Sequence, residues 1–185
     1  NAIAGSEERT ASRKQLALEQ HQLLLLYTGQ RTEAPYREGA QWICQALVEG
    51  LEDFKPQVAI FLTGRGPTFP STNNIVTFTG FVPTIHDYLT AADICLAPIW
   101  RETGMPGKII EYMALGKAVV LTSITRGYPH LRNGDNALIA STPEEFVDHV
   151  ISLIQDPEKI ARIGSAARQT AQKYYSHEAI KPVLW

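Results

Sequence analysis

The chain has 185 residues, 19% of them charged, and a formal net charge of −2. That is the size of one domain, or of one with a tail, and it is enough chain to bury about 70% of its unfolded surface. The slightly acidic balance offers no basic footprint for nucleic acid, and the apolar runs, such as Leu23 to Tyr27, are far too short to span a bilayer.

Residues 1–22 are polar and read as a lead-in or linker, with a short helix expected over Ser12–Gln20. The domain itself is expected at 23–175, followed by a tail at 176–185. Leu23 to Thr28 is the first strand, an apolar run of the kind buried on both faces of a sheet. Gly29 to Pro35 then breaks the pattern. A helix is expected from Tyr36 to Asp53, with Trp42, Ile43, Ala46, Leu47 and Leu51 on its apolar stripe. Val58–Leu62 and Ile75–Phe78 are further strands, ended by the turns Gly64 to Pro67 and Gly80 to Pro83. Thr84, with Asp87 three residues on, is expected to cap the next helix.

The most informative stretch runs from Asp93 to Thr122. Ile94-Cys95-Leu96-Ala97 is a strand, Gly104, Pro106 and Gly107 break it, and Ile109, Ile110, Met113 and Ala114 lie on one helical face. Gly116 stands where a helix stops, and Ala118 to Leu121 is the next buried strand. A last short strand covers Ala137–Ala140. Thr142-Pro143-Glu144-Glu145 starts one helix and Asp156-Pro157 another.

Strands alternating with helices predict an α/β fold, a doubly wound parallel sheet of about six strands. Ligands bind such sheets beyond the carboxyl ends of the strands, where the glycine turns fall. The turn before Ile109 leaves backbone N–H groups at a positive helix end, which attracts anions. Glu111, one turn on, can accept hydrogen bonds from vicinal hydroxyls. An anion site beside a hydroxyl acceptor suits a nucleotide. Cys44 and Cys95 sit in apolar contexts and read as reduced core thiols, which fits a cytosolic protein. His86, His130 and His149 lack metal-ligand spacing, no Gly-x-Ser-x-Gly elbow is present, and no Gly-x-Gly-x-x-Gly follows the first strand.

Taken in order, these pieces resemble the C-terminal, donor-binding domain of GT-B retaining glycosyltransferases of the family-4 type, over about Leu26 to Tyr175. Gly29-Gln30-Arg31 with Arg37-Glu38-Gly39 looks like the family's arginine and lysine-glycine pair. Thr63 to Pro67 looks like its second glycine turn, Phe78 to Pro83 like its base-side turn, and Ala92 to Pro98 with Lys108 to Val120 like its hallmark. There are departures. Arg37 stands for the phosphate-binding lysine, and Arg31 lies one place late. Of the family's frequent pair of glutamates, Glu111 matches the second, while Thr103 occupies the first position and Glu102 is one residue off. Pro106-Gly107-Lys108 fits subfamilies that lack the first glutamate.

The resemblance implies a nucleotide diphosphate sugar as donor substrate, no further cofactor and no metal. Glu111 would hold the ribose, and Arg31 and Arg37 would clamp the diphosphate. Gly29, Gly64, Gly104, Met105 and Gly107 would approach phosphate or sugar through their backbone, and Lys108 would reach the phosphate or pair with Glu111. Phe81, Val82 and Pro83 would hold the base, with Thr103 at the sugar. Arg37 and Glu111 would matter most for catalysis. Such a domain transfers a sugar only with an N-terminal acceptor domain, expected to precede residue 1; Ile180, Val183, Leu184 and Trp185 would either pack onto it or form a frayed end. The acceptor is left open, as is attachment to a membrane periphery through that other domain. Two rivals stand beside this reading: a nucleotide-sugar 2-epimerase on the same fold, and a non-catalytic nucleotide-binding module.

Overall fold

The computed structural model describes residues 6–101, 107–123 and 129–176. Its centre is a six-stranded sheet of β1 (Leu23–Thr28), β2 (Val58–Thr63), β3 (Val76–Gly80), β4 (Ile94–Ala97), β5 (Ala118–Thr122) and β6 (Leu138–Ala140). The spatial order is β3-β2-β1-β4-β5-β6, and every neighbouring pair is parallel.

Successive residues of a strand point to opposite faces, so a strand buried on both sides must be apolar throughout. Leu25, Tyr27, Ile60, Leu62, Leu96 and Val120 pack on one face. Leu24, Leu26, Phe61, Cys95, Val119 and Leu121 pack on the other. The first face is covered by α2 (Ala34–Trp42), a π-helical segment Ile43–Leu47, α3 (Val48–Gly50) and α6 (Pro143–Ile154). The second is covered by α4 (His86–Ala91), α5 (Gly107–Ala114) and α7 (Pro157–Tyr174). Each fully buried Leu, Ile or Val contributes about 1.5–3 kcal/mol relative to exposure, so both layers are needed to offset chain ordering. Trp42 and Trp100 pack edge to face, 5.4 Å between centroids, beside Phe146. Cys44 and Cys95 are buried free thiols, pushed up to about 11 and about 12 by desolvation.

Helix starts follow local chemistry. The Thr142 hydroxyl accepts from the Glu145 N–H, the Glu145 carboxylate accepts from the Ser141 N–H, and Asp156 caps α7 through the Lys159 N–H. Gly116 ends α5 at φ +68°, in the left-handed region expected of a C-terminal glycine. Three helix boundaries differ from the sequence expectation. The lead-in helix α1 is Ser6–Gln15, not Ser12–Gln20, because Arg9 and Arg13 reach the start of β4 from it. At α4 the backbone is already helical at Ile85, and no side-chain cap forms. The helix expected over Tyr36–Asp53 begins at Ala34 and relaxes through the π segment before a 3-10 turn, Glu52–Gln57, ends it. The segments 102–106 and 177–185, which include Thr103, Gly104, Met105, Ile180, Val183, Leu184 and Trp185, lie outside the described residues. Among the described residues no helix is long and apolar enough to cross a membrane.

Candidate functional site

Chain order runs outward in both directions from β1 and β4, so the crossovers diverge there and leave a crevice at the carboxyl ends of the strands. A cleft of about 570 Å³ occupies that place. Thr28, Gly29 and Gln30 enter it after β1, and Thr63, Gly64 and Arg65 after β2. Phe81, Val82 and Ile85 enter after β3, Gly107 and Lys108 at the start of α5, and Tyr36 from α2. Among the described residues its charged lining is Arg65 and Lys108, both cationic.

The glycine turns are stitched to one another. Gly29 N–H donates to the Thr63 carbonyl, Gly64 N–H to the Gly80 carbonyl and Arg31 N–H to the Arg65 carbonyl. A Cβ on Gly64, whose φ is +107°, would stand 2.2 Å from the Gly29 carbonyl oxygen. Only glycine permits two backbone turns to lie that close. The amides of Gly29 and Gly64 therefore shape the floor and are spent on the ends of the neighbouring strands, β2 and β3 respectively. The first N–H groups of α5, which have no partner within their own helix, stand at the same rim.

Arg31 is buried, 1% exposed. Its Nε donates to the Pro67 carbonyl at 2.9 Å and its Nη1 to the Thr63 carbonyl at 3.2 Å, with the guanidinium 5.1 Å from the Phe78 ring centre. Burial lowers its pKa, and Tyr27 opposes that shift. Arg31 braces the first two turns from beneath. Arg37, on the first turns of α2, is half-buried, with Nη1 3.4 Å from the Thr32 carbonyl oxygen. Neighbouring Glu38 is held by Arg101 at 2.7 Å.

Lys108 is the cation the fold has prepared. Its Nζ donates to the Thr28 carbonyl at 2.6 Å and lies 4.0 Å from the Tyr36 ring centre and 5.1 Å from that of Tyr27. Tyr27 itself is fixed by donating to the Tyr36 carbonyl. Ring faces attract the ammonium by about 0.5–2 kcal/mol, yet removal from water outweighs them. Desolvation pulls the Lys108 pKa down to about 7, with Glu33 opposing. No ion pair joins Lys108 to Glu111 among the described residues. Glu111 is exposed on α5, at i+3 from Lys108 and i+4 from Gly107, which places it on their face one turn further from the strand ends.

Of the residues singled out from the sequence, Gly29, Gly64, Phe81, Val82, Gly107 and Lys108 meet in one cleft. Arg31, Arg37, Pro83 and Glu111 stand outside its lining, and Thr103, Gly104 and Met105 belong to the undescribed segment. Sequence reasoning missed Gln30, Arg65 and Tyr36. Gln30 and Arg65 each follow a strand-end glycine by one residue, a signal that was present. Tyr36 carried none, because only the seating of α2 brings it over Lys108. Arg65 lies over the Phe81 ring at 4.8 Å, and Phe81 is 62% exposed, so the two form an open flat wall at the mouth. No cluster of three or more metal-binding side chains occurs among the described residues.

Fold and cleft define a Rossmann-like domain of the GT-B type, and comparison with known proteins supplies the family. The family model described as "Glycosyl transferases group 1" matches residues 22–156, and the chain belongs to that family. TuaC of Bacillus subtilis (strain 168), named as a teichuronic acid biosynthesis glycosyltransferase, is 36% identical over 126 residues, 65% of this chain and 30% of TuaC. The crystal structure of Anabaena HepE with UDP and glucose superposes with a TM-score of 0.77 at 19% identity, over 98% of this chain and 51% of HepE. The C-terminal domain of the group 1 glycosyl transferase LpcC of Francisella tularensis superposes with a TM-score of 0.73 at 15% identity, over 93% of this chain and 95% of that domain. The architecture is therefore that of a GT-B C-terminal domain. The chain spans 30% of TuaC and about half of HepE.

Proposed function

We propose that this domain binds the nucleotide diphosphate sugar of a retaining glycosyltransferase and presents it to an acceptor held by a second domain. The observation that carries the reading is a cleft at the crevice of the sheet whose charged lining, among the described residues, is Arg65 and Lys108, and whose far wall opens on the first N–H groups of α5. A diphosphate fits there electrostatically: the helix end contributes about half a positive charge, and Lys108 a full one when protonated. The UDP bound by HepE, whose fold this chain shares, supports the same reading.

In this proposal Lys108 and the start of α5 receive the diphosphate. Negative charge grows on the leaving phosphate as the glycosidic bond breaks, so a fixed cation there stabilises the transition state more than the ground state. Glu111 grips the ribose hydroxyls from one turn along. Phe81, Val82 and Pro83 carry the base, and Arg37 approaches from α2. Arg31 acts through the loops it braces. No metal is assigned a role, because cations and a helix end neutralise the diphosphate.

Isothermal titration of UDP, GDP and ADP against this chain tests the reading. Wild type is expected to bind at least one of them. Lys108→Met is expected to remove a charge-assisted hydrogen bond worth about 1.5–3 kcal/mol, roughly a 10- to 100-fold loss of affinity. Glu111→Ala should cost about tenfold by the same reasoning. Nucleotide binding unchanged in both variants would place the ligand elsewhere.

A further inference from the structure

Of the two charged residues that line the cleft among the described residues, Lys108 is bonded to the Thr28 carbonyl, whereas the Arg65 side chain donates to no protein acceptor there. The Arg65 guanidinium lies over the Phe81 ring, 4.8 Å from its centre, a contact that holds its donors at the mouth. We propose that Arg65 reads the base of the bound nucleotide, selecting bases with a keto group on the edge it faces, uracil or guanine, over the amino bases cytosine and adenine. This rests on the cleft being the nucleotide site proposed above.

Topology puts the base at Arg65. Lys108 and the start of α5 meet the cleft at the end of β1, while Arg65 and Phe81 follow β2 and β3. In the order β3-β2-β1-β4 the third strand lies two spacings from the first, about 10 Å. Among the described residues the lining runs that way and includes nothing after β5. A diphosphate received at Lys108 therefore has its nucleoside directed along the strand ends to Arg65 and Phe81. Phe81 is 62% exposed and offers a ring face on which any base can stack, so it adds affinity without choice. The choice comes from hydrogen bonding. A guanidinium has five N–H donors and no acceptor. Uracil, like thymine, presents the O4 acceptor, and guanine presents O6 and N7; cytosine presents an amino donor at N4, and adenine one at N6. Facing a keto oxygen, Arg65 makes a charge-assisted hydrogen bond. Facing an amino group, it sets donor against donor, which discriminates by repulsion as well as by loss. The other side chains at that end, Phe81, Val82 and Ile85, are apolar and accept nothing from an amino group. The Gly80 and Arg65 carbonyls are engaged by the Gly64 and Arg31 N–H groups. Gln30 enters after β1, and its amide both donates and accepts, so it suits either class of base.

Isothermal titration of UDP, CDP, inosine 5′-diphosphate and ADP into the 185-residue chain tests this. The first two share a ring size and differ in a keto or an amino group, as do the last two. The keto member of each pair is expected to bind about tenfold more tightly. Arg65→Met keeps a long side chain over Phe81 and removes the donors. It should weaken UDP and inosine diphosphate about tenfold and bring each pair within about twofold. The Arg65 side chain is exposed and the carbonyl that accepts from Arg31 is main chain, so the turn is kept in the variant. Arg65→Lys, which retains donors without the planar fork, should keep part of the preference. Lys108→Met should weaken all four ligands alike and preserve the ratios. Equal binding of UDP and CDP by wild type, or a preference that survives in Arg65→Met, would overturn this inference and leave the nucleotide cleft standing. Binding of none of the four would overturn both.

Discussion

Lys108 shows how one side chain ties folding to ligand binding. Its ordinary pKa near 10.4 falls to about 7 in the folded protein because desolvation outweighs two aromatic faces, a carbonyl and Glu33. Between those values the unfolded chain holds a proton that the folded chain does not. Stability therefore rises with pH across that window, and the cost is fully present below pH 7. Lys108→Met should be more stable than wild type at pH 6, with the gap closing towards pH 10, as chemical denaturation would read. A bound diphosphate selects the ammonium form. At pH 8–9 wild type should then take up about one proton per nucleotide, and little at pH 6. Calorimetry in buffers of different ionisation enthalpy measures that uptake. Uptake that persists in Lys108→Met would assign it to another group.

Helices and strands are joined by a few polar residues as much as by the apolar layers. Asp93 is the clearest case. Its N–H donates to the Leu24 carbonyl, while its carboxylate accepts from the Leu24 N–H and both arginines of α1. It thus aligns β1 with β4 at the end of the sheet opposite the candidate cleft and docks α1 there. The side chains of Asp93 and Arg13 are each only 13% exposed, so little solvent screens the pair. Asp93→Ala would leave two half-buried guanidinium groups facing one another. The expected cost is about 3 kcal/mol in urea denaturation, with α1 released to proteolysis before the sheet opens. Equal stability of mutant and wild type would show that α1 is held by its apolar contacts alone. At the other rim the stitched glycine turns play the same organising part, and there the geometry excludes every side chain but hydrogen at Gly64.

For the molecule as a whole, both faces of the sheet are covered and the cleft lies open at the carboxyl ends of the strands, so a ligand bound there adds its binding free energy to stability. Nucleotide at a hundred times its dissociation constant should raise stability by about 2.7 kcal/mol. Transfer is another matter, because it requires the acceptor to be held within reacting distance of the anomeric carbon. This chain spans 30% of TuaC and 51% of HepE. The 185 residues by themselves are expected to bind donor and to give no transfer to any acceptor, as a radiolabelled-sugar assay would record. Turnover by this chain alone would contradict the reliance on a second domain.

All six strands, their parallel pairing and both covering layers could be read from the chain, since Leu23 to Thr28 or Ala118 to Leu121 is apolar at every position and only a doubly covered sheet buries such runs. The strand-end glycines were legible for a similar local reason: they interrupt a periodic pattern. What the side chains around them do was not. Arg31 and Lys108 are both long cations beside glycine turns in the sequence. Packing alone sends Arg31 beneath the loops onto the carbonyls of Thr63 and Pro67, and encloses Lys108 between Tyr27 and Tyr36 at the cleft. Likewise the polar lead-in became α1 docked on Asp93, a contact between residues 84 apart in the chain. Local periodicity and turn chemistry set the elements. Which charges are desolvated, and against which partners, depends on contacts between distant segments, and these exist only once the layers have closed.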